Sequence, residues 1–126
     1  ELGGKATPAV GFALGMERLI ALVSATHSCP VVEPHAYVIA EKEYLSEALL
    51  LTERLRKEVS GVRIVVDNSG ASLKSQFKKA DKSGAHYALV LGEQEISQQC
   101  VSVKPLREMT EQLRLSFAEL VKFFAL

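Results

Sequence analysis

The sequence predicts an α/β domain built on an open, largely parallel sheet, and three observations carry that expectation. Short continuous apolar runs alternate with stretches of helical period, and Lys, Glu and Arg crowd the outer face of the main helical stretch. Near Val101 the pattern changes to strict alternation of apolar and polar residues, as in strands with one wet face. With 126 residues, 48 % of them apolar, the chain has enough for one domain, its core and some extra.

Taken in order, an apolar strand-like run ends at Ala13, and Gly15 leads into an apolar helix that carries Arg18 and continues to about Ala25. Thr26-His27-Ser28-Cys29-Pro30 followed by Glu33-Pro34 has two prolines and no period, and reads as a linker. Ala36 to Ala40 is a buried strand. Tyr44, Ala48, Leu51, Leu55 and Val59 line one face of a helix that Gly61 terminates, and Val62 to Val66 is apolar again, which completes a β-α-β unit. A second unit follows, with a helix from about Ser72 to Ser83 that buries Leu73, Phe77 and Ala80. Ser72 is its expected N-cap, Gly84 its stop, and Tyr87 to Leu91 the next parallel strand. Val101 and Val103, then Leu113 and Leu115, mark two edge strands, and Ser116 opens a last helix whose Phe117, Leu120, Val121 and Phe124 face the sheet.

Right-handed crossovers place strands two and three on opposite sides of strand one or both on one side; helices on both faces favour the former. Ligands of such sheets collect outside the carboxyl ends of the parallel strands. Three loops converge there: Glu41 to Glu43, Asp67 to Ser72, and Gly92 to Glu95.

Fifteen basic and fifteen acidic side chains cancel, so any nucleic-acid contact must come from local patches. Cys29 and Cys100 form no Cys-x-x-Cys pair and read as free thiols of a reducing cytoplasm. His27, His35 and His86 share no metal-binding spacing, so no metal site is expected. No run reaches the roughly 18 apolar residues of a membrane span, and none has the make-up of a signal peptide.

The candidate site residues each admit two readings. Asn68, Ser69, Gly70 and Ser72 precede a helix N-terminus and offer backbone N–H groups to an anion or a base edge, or they simply make a turn and a cap. Glu93 and Glu95 suit the amino and imino groups of unstacked bases, with Lys104 on the following strand as a donor, or Glu95 and Lys104 pair across a hairpin. Lys74, Lys78 and Lys82, with Lys79 beside them, form a basic stripe that fits an RNA backbone or a solvated face. Arg18 suits a phosphate, or pairs with a nearby carboxylate.

Gly11-Phe-Ala-Leu-Gly-Met-Glu-Arg-Leu19, with Leu2 to Val10 before it, resembles motif 3 of class II aminoacyl-tRNA synthetases in its histidyl version. From about Glu33 onward the chain is similar to the anticodon-binding domain of the class IIa members, most closely in Ala80-Asp81-Lys82-Ser83-Gly84-Ala85 and Leu91-Gly92-Glu93-Gln94-Glu95. The resemblance implies a three-layer α/β/α fold for residues 33–126, with a five-stranded mixed sheet of order 2-1-3-4-5 and strand four antiparallel. Residues 1–32 would then be a motif 3 strand-helix remnant and linker.

It also implies roles. Arg18, with Gly15, would bind ATP. Relatives read anticodon bases with the second glutamate of the strand-three loop, a basic residue on strand four and the loop after strand two. These positions fall on Glu95, Lys104 and Asn68 to Ser72, and Lys104 replaces an arginine of some threonyl relatives. The partner implied is the anticodon loop of tRNA(His), with no DNA or membrane. The full-length enzyme would be a cytoplasmic homodimer that uses ATP and Mg2+ to charge tRNA(His) with histidine. The histidine-binding motifs and motifs 1 and 2 have no counterpart here, so the fragment is expected to be non-catalytic and without cofactor. The alternatives are a small-nucleotide site at the switch point and a purely structural domain.

Overall fold

A computed structural model describes residues 3–28 and 30–125; Leu2 and Cys29, which entered the sequence reading, lie outside the described residues. The chain divides into two compact units, residues 1–31 and 32–126.

The first unit contains helix α1, Met16–Thr26, which starts where Gly15 turns extended and its carbonyl accepts Leu19 N–H at 3.1 Å. The strand expected before it is not formed: residues 3–15 have no strand pairing. A strand exists only through a neighbour's hydrogen bonds, and no described residue of this unit supplies them. Helix α1 buries none of its residues, and Phe12, Leu14, Ile20 and Leu22 stand exposed.

The second unit is the α/β domain. Its elements are β1 Ala36–Ala40, a 3-10 turn at Lys42–Tyr44, α2 Leu45–Glu58, β2 Ile64–Val66, α3 Leu73–Lys82, β3 Tyr87–Leu91, α4 Glu93–Ser97, β4 Cys100–Pro105, β5 Leu113–Ser116 and α5 Phe117–Phe124. The sheet order is β2-β1-β3-β4-β5. Strand β1 runs parallel to β2 and β3, and β4 is antiparallel to both β3 and β5.

The five residues of β1 are all buried, because the sheet is covered on both faces here. One face packs Val38, Leu89, Val101 and Val103 against Ala48 and Leu55 of α2 and Leu120 of α5. The other packs Tyr37, Ile39 and Ala88 against Ala80 of α3, with Leu73 and Phe77 half-buried beside them. Gly84 ends α3 with φ +77°, and a Cβ there would also lie 3.0 Å from Glu33 Cγ, so both the turn and the packing require glycine.

Three expectations need correction. Strand β4 is not an edge strand, since it pairs with β3 and β5, and its Ser102 is buried rather than wet. The stretch from Gly92 to Glu95 is not a loop; its glutamates lie in the single turn α4. Ser72 occupies the N-cap position of α3 without a side-chain capping bond; its carbonyl accepts Ser75 and Gln76 N–H instead.

Candidate nucleic-acid interface

The turn after β1, the loop after β2 and the start of α4 meet at the carboxyl ends of β1, β2 and β3. Glu41 N–H donates to Leu91 O at 3.2 Å, and the stem of Lys42 lies against Gly70, so Glu41 to Glu43 sits between the other two segments. A shallow cleft of about 290 Å³ separates Glu41, Lys42 and Glu43 from Gly70, Ala71 and Ser72.

The loop after β2 is organised by Asp67, which is 5 % exposed. Its carboxylate accepts from Ser69 N–H at 2.9 Å, from the Ser69 hydroxyl, and from Tyr37 OH at 3.2 Å, and Lys79 Nζ lies 3.3 Å away. Ser69 therefore makes the turn that its composition also allowed, and Lys79 Nζ, 2.7 Å from Ser69 Oγ, leaves the basic stripe to hold that turn. Asn68, Gly70 and Ser72 remain exposed on the outside, with Gly70 at φ +64°. Residue Gln76, absent from the sequence reading, lies beneath the loop at 1 % exposure. Its amide accepts from Ala40 N–H at 3.1 Å and donates to Ala40 O at 2.8 Å and Ala71 O at 2.7 Å.

Burial pushes the Asp67 carboxyl up, but the bonds from Ser69, Lys79 and Tyr37 outweigh it and hold the group below the ordinary carboxylate range. A depressed folded-state pKa stabilises the fold above the unfolded value near 4 and loses that contribution as pH falls through it. Glu95 and Glu119 are depressed as well. The melting temperature is therefore expected to fall on acidification from about pH 5 to 3. Asp67→Asn is expected to melt lower at neutral pH and to fall less steeply, as thermal scans across that range would reveal.

Helix α4 turns Glu95 back on its own start. Oε2 accepts Gly92 N–H at 3.2 Å, and Oε1 accepts the Ser102 hydroxyl at 2.7 Å. Burial raises its pKa, but the Ser102 bond, the backbone bonds and the charge of Arg114 together lower it, so the group is an anion held in one orientation. A carboxylate has about four acceptor sites, so two bonds leave room for a base donor. The hairpin pair with Lys104 is not formed. Lys104 Nζ instead stands 5.0 Å from the Phe77 ring centre, on the α3 side of the sheet. The register pairs Ala88 with Lys104 and Val90 with Ser102, which puts Ser102 and Lys104 on one face.

Lys74, Lys78 and Lys82 are exposed along α3. Glu93 is exposed on the first turn of α4, and its charge, with those of Glu43, Glu41 and Glu47, adds to desolvation in raising the Tyr44 pKa. The switch point is thus acidic and the α3 side basic, which directs phosphates away from the former and towards the latter. A larger cleft of about 570 Å³, lined by Leu50, Leu51, Arg54, Ile96 and Phe117, lies on the other flank of Glu95. Arg18 and Gly15 belong to the first unit: Gly15 precedes α1, and Arg18 is exposed on its first turn.

The structure thus brings the Glu95 side chain from α4 to Ser102, on the sheet face that also bears Lys104, with Lys74 and Lys78 exposed on the helix that packs beside it. Ser102 and Gln76 were missed because an isolated Ser in a strand and a Gln among lysines carry no sequence signal until a partner is seen.

Comparison with known proteins gives consistent matches. The family described as the anticodon binding domain matches residues 29–125. A histidine-tRNA ligase of Coxiella burnetii (strain CbuG_Q212) is 48 % identical over 122 residues, covering 97 % of this chain and 29 % of the relative. One of Alkalilimnicola ehrlichii is 45 % identical over 126 residues, covering 99 % of this chain and 29 % of the relative. The chain therefore spans less than a third of the length of these curated relatives. Among solved structures, apo histidyl-tRNA synthetase of S. aureus superposes with a TM-score of 0.65 at 24 % identity, over 88 % of this chain and 28 % of that one. The RNA binding domain of threonyl-tRNA synthetase from Cryptosporidium parvum Iowa II gives 0.68 at 20 % identity, over 73 % of this chain and 23 % of that one. At those identities the superpositions establish the fold.

Proposed function

The chain belongs to the anticodon binding domain family, and on that premise we propose that residues 33–126 are the module with which a histidine-tRNA ligase recognises the anticodon loop of tRNA(His). The observation that carries the reading is the fixed Glu95 carboxylate, oriented by Gly92 and Ser102 on the sheet face that also bears Lys104. Single-stranded RNA is read by sequence through the hydrogen-bonding edges of splayed bases, and an immobile acceptor beside a cation discriminates among those edges. Lys74 and Lys78 supply the sequence-independent attraction for the backbone, and the exposed Asn68, Gly70 and Ser72 border the same end of the sheet. Glu93 offers a second, freer acceptor.

In the longer enzyme, Arg18 and Gly15 would hold ATP. The fit rests on two features: the Arg18 guanidinium is exposed, and a Cβ at Gly15 would meet only Arg18 Cβ, at 3.9 Å, leaving room for close approach. ATP, with Mg2+, would supply the phosphoanhydride that activates histidine, while this chain's part is the guanidinium that orients a phosphate. A cytoplasmic homodimer is the assembly that the resemblance implies.

The test is titration of the chain with the tRNA(His) anticodon stem-loop and with the same hairpin carrying scrambled anticodon bases. Tighter binding of the cognate hairpin, weakening with salt, is expected; equal affinities would overturn the reading.

A further inference from the structure

We propose that Arg114 is a phosphate contact of this RNA surface, extending it from β4 onto the edge strand β5; the inference rests on the anticodon-loop reading above. The register pairs Arg114 with Ser102, so its side chain leaves the sheet on the face of Ser102 and Lys104. Lys104 lies two residues further along the neighbouring strand, within about 7–8 Å as a diagonal neighbour.

Two guanidiniums of this domain are neutralised by carboxylates, and Arg114 is not one of them. Arg56 is paired with Glu53 and Arg107 with Asp81. Arg54 lies over the Phe117 ring, and Arg63 donates to Glu33 O. Arg114 instead donates to two neutral amides of the α4 segment: Nη1 to Gln98 Oε1 at 3.3 Å and Nη2 to Gln94 Oε1 at 3.5 Å. Neutral acceptors orient the fork without cancelling its charge. Of about five N–H donors on a guanidinium, some three remain for a ligand, and the side chain is exposed. The charges of Arg114 and Glu95 act on each other, yet the Glu95 oxygens face Gly92 and Ser102. An oriented cation with open donors on an edge strand suits the backbone of an RNA loop whose bases point towards Glu95.

The experiment titrates wild type, Arg114→Gln and Arg114→Lys with the cognate and scrambled hairpins from about 50 to 200 mM salt. Arg114→Gln is expected to weaken both hairpins by the same factor, roughly 3- to 10-fold, and to lower the salt slope by about 0.7 to 0.9, with unchanged melting temperature. Arg114→Lys is expected to keep the slope. An unchanged slope in Arg114→Gln overturns the proposal, and so does a loss confined to the cognate hairpin, which would place Arg114 on a base or make it act through Glu95. Failure of wild type to prefer the cognate hairpin, with the Arg114→Gln slope still reduced, would overturn the anticodon reading and leave the phosphate contact standing.

Discussion

Gln76→Leu is expected to lower the melting temperature by at least about 10 °C, although it replaces a polar side chain in the core by an apolar one of similar size. Strand β2 is short. Its ladder ends where Asp67 N–H bonds Val38 O, which leaves the β2-facing N–H and C=O of Ala40 without a strand to meet. The Gln76 amide meets both, as a peptide group of a longer β2 would, and reaches Ala71 O as well. Leucine would leave a buried donor and a buried acceptor of Ala40 unpaired, at about 1–3 kcal/mol each. One kcal/mol shifts the midpoint of a domain this size by roughly 4–8 °C. A shift of only a degree or two in thermal melts would mean that water replaces the amide.

Glu95→Ala is expected to collapse the preference for cognate over scrambled hairpin to about one while leaving the salt slope unchanged, because a carboxylate neutralises no phosphate. The same change orphans the Ser102 hydroxyl and Gly92 N–H, both buried, and should destabilise the domain by about 1–3 kcal/mol for each. Glu95→Gln removes the charge at a smaller structural cost, since its amide oxygen still accepts from Ser102 and only Gly92 N–H loses its acceptor. Retained preference in a folded Glu95→Ala protein would remove this residue from base reading. Hairpin titration together with denaturant melts distinguishes these results.

The sheet was legible in the sequence because β1 and β3 are buried on both faces, so Ala36 to Ala40 and Tyr87 to Leu91 had to be continuous apolar runs. Helix α2 was legible because Ala48, Leu55 and Val59 recur at helical spacing over three turns. What escaped has a common physical origin. Helix α4 is one polar turn, and what fixes it is a bond from Glu95 to a serine on the next strand, which no local period encodes. Gln76 sits on the core face of a lysine-rich helix, where a polar letter reads as solvent-facing. Residues 3–15 showed the converse: their composition suits a strand, but no described residue pairs with them. For the site, the residue types at Glu95 and Lys104 were readable, whereas the anchoring of Glu95, the withdrawal of Lys79 to Asp67 and the orientation of Arg114 depend on contacts across the fold.

Within residues 32–126, acids gather around Tyr44 while lysines line α3, so a domain in a chain of zero formal net charge carries an uneven field. Such a molecule gains little from long-range attraction to a polyanion, but it experiences a torque as it approaches one. A polyanion is therefore met preferentially with the lysines of α3 leading. On the proposed anticodon-loop reading, selectivity begins with the angle of approach, before any base has been met.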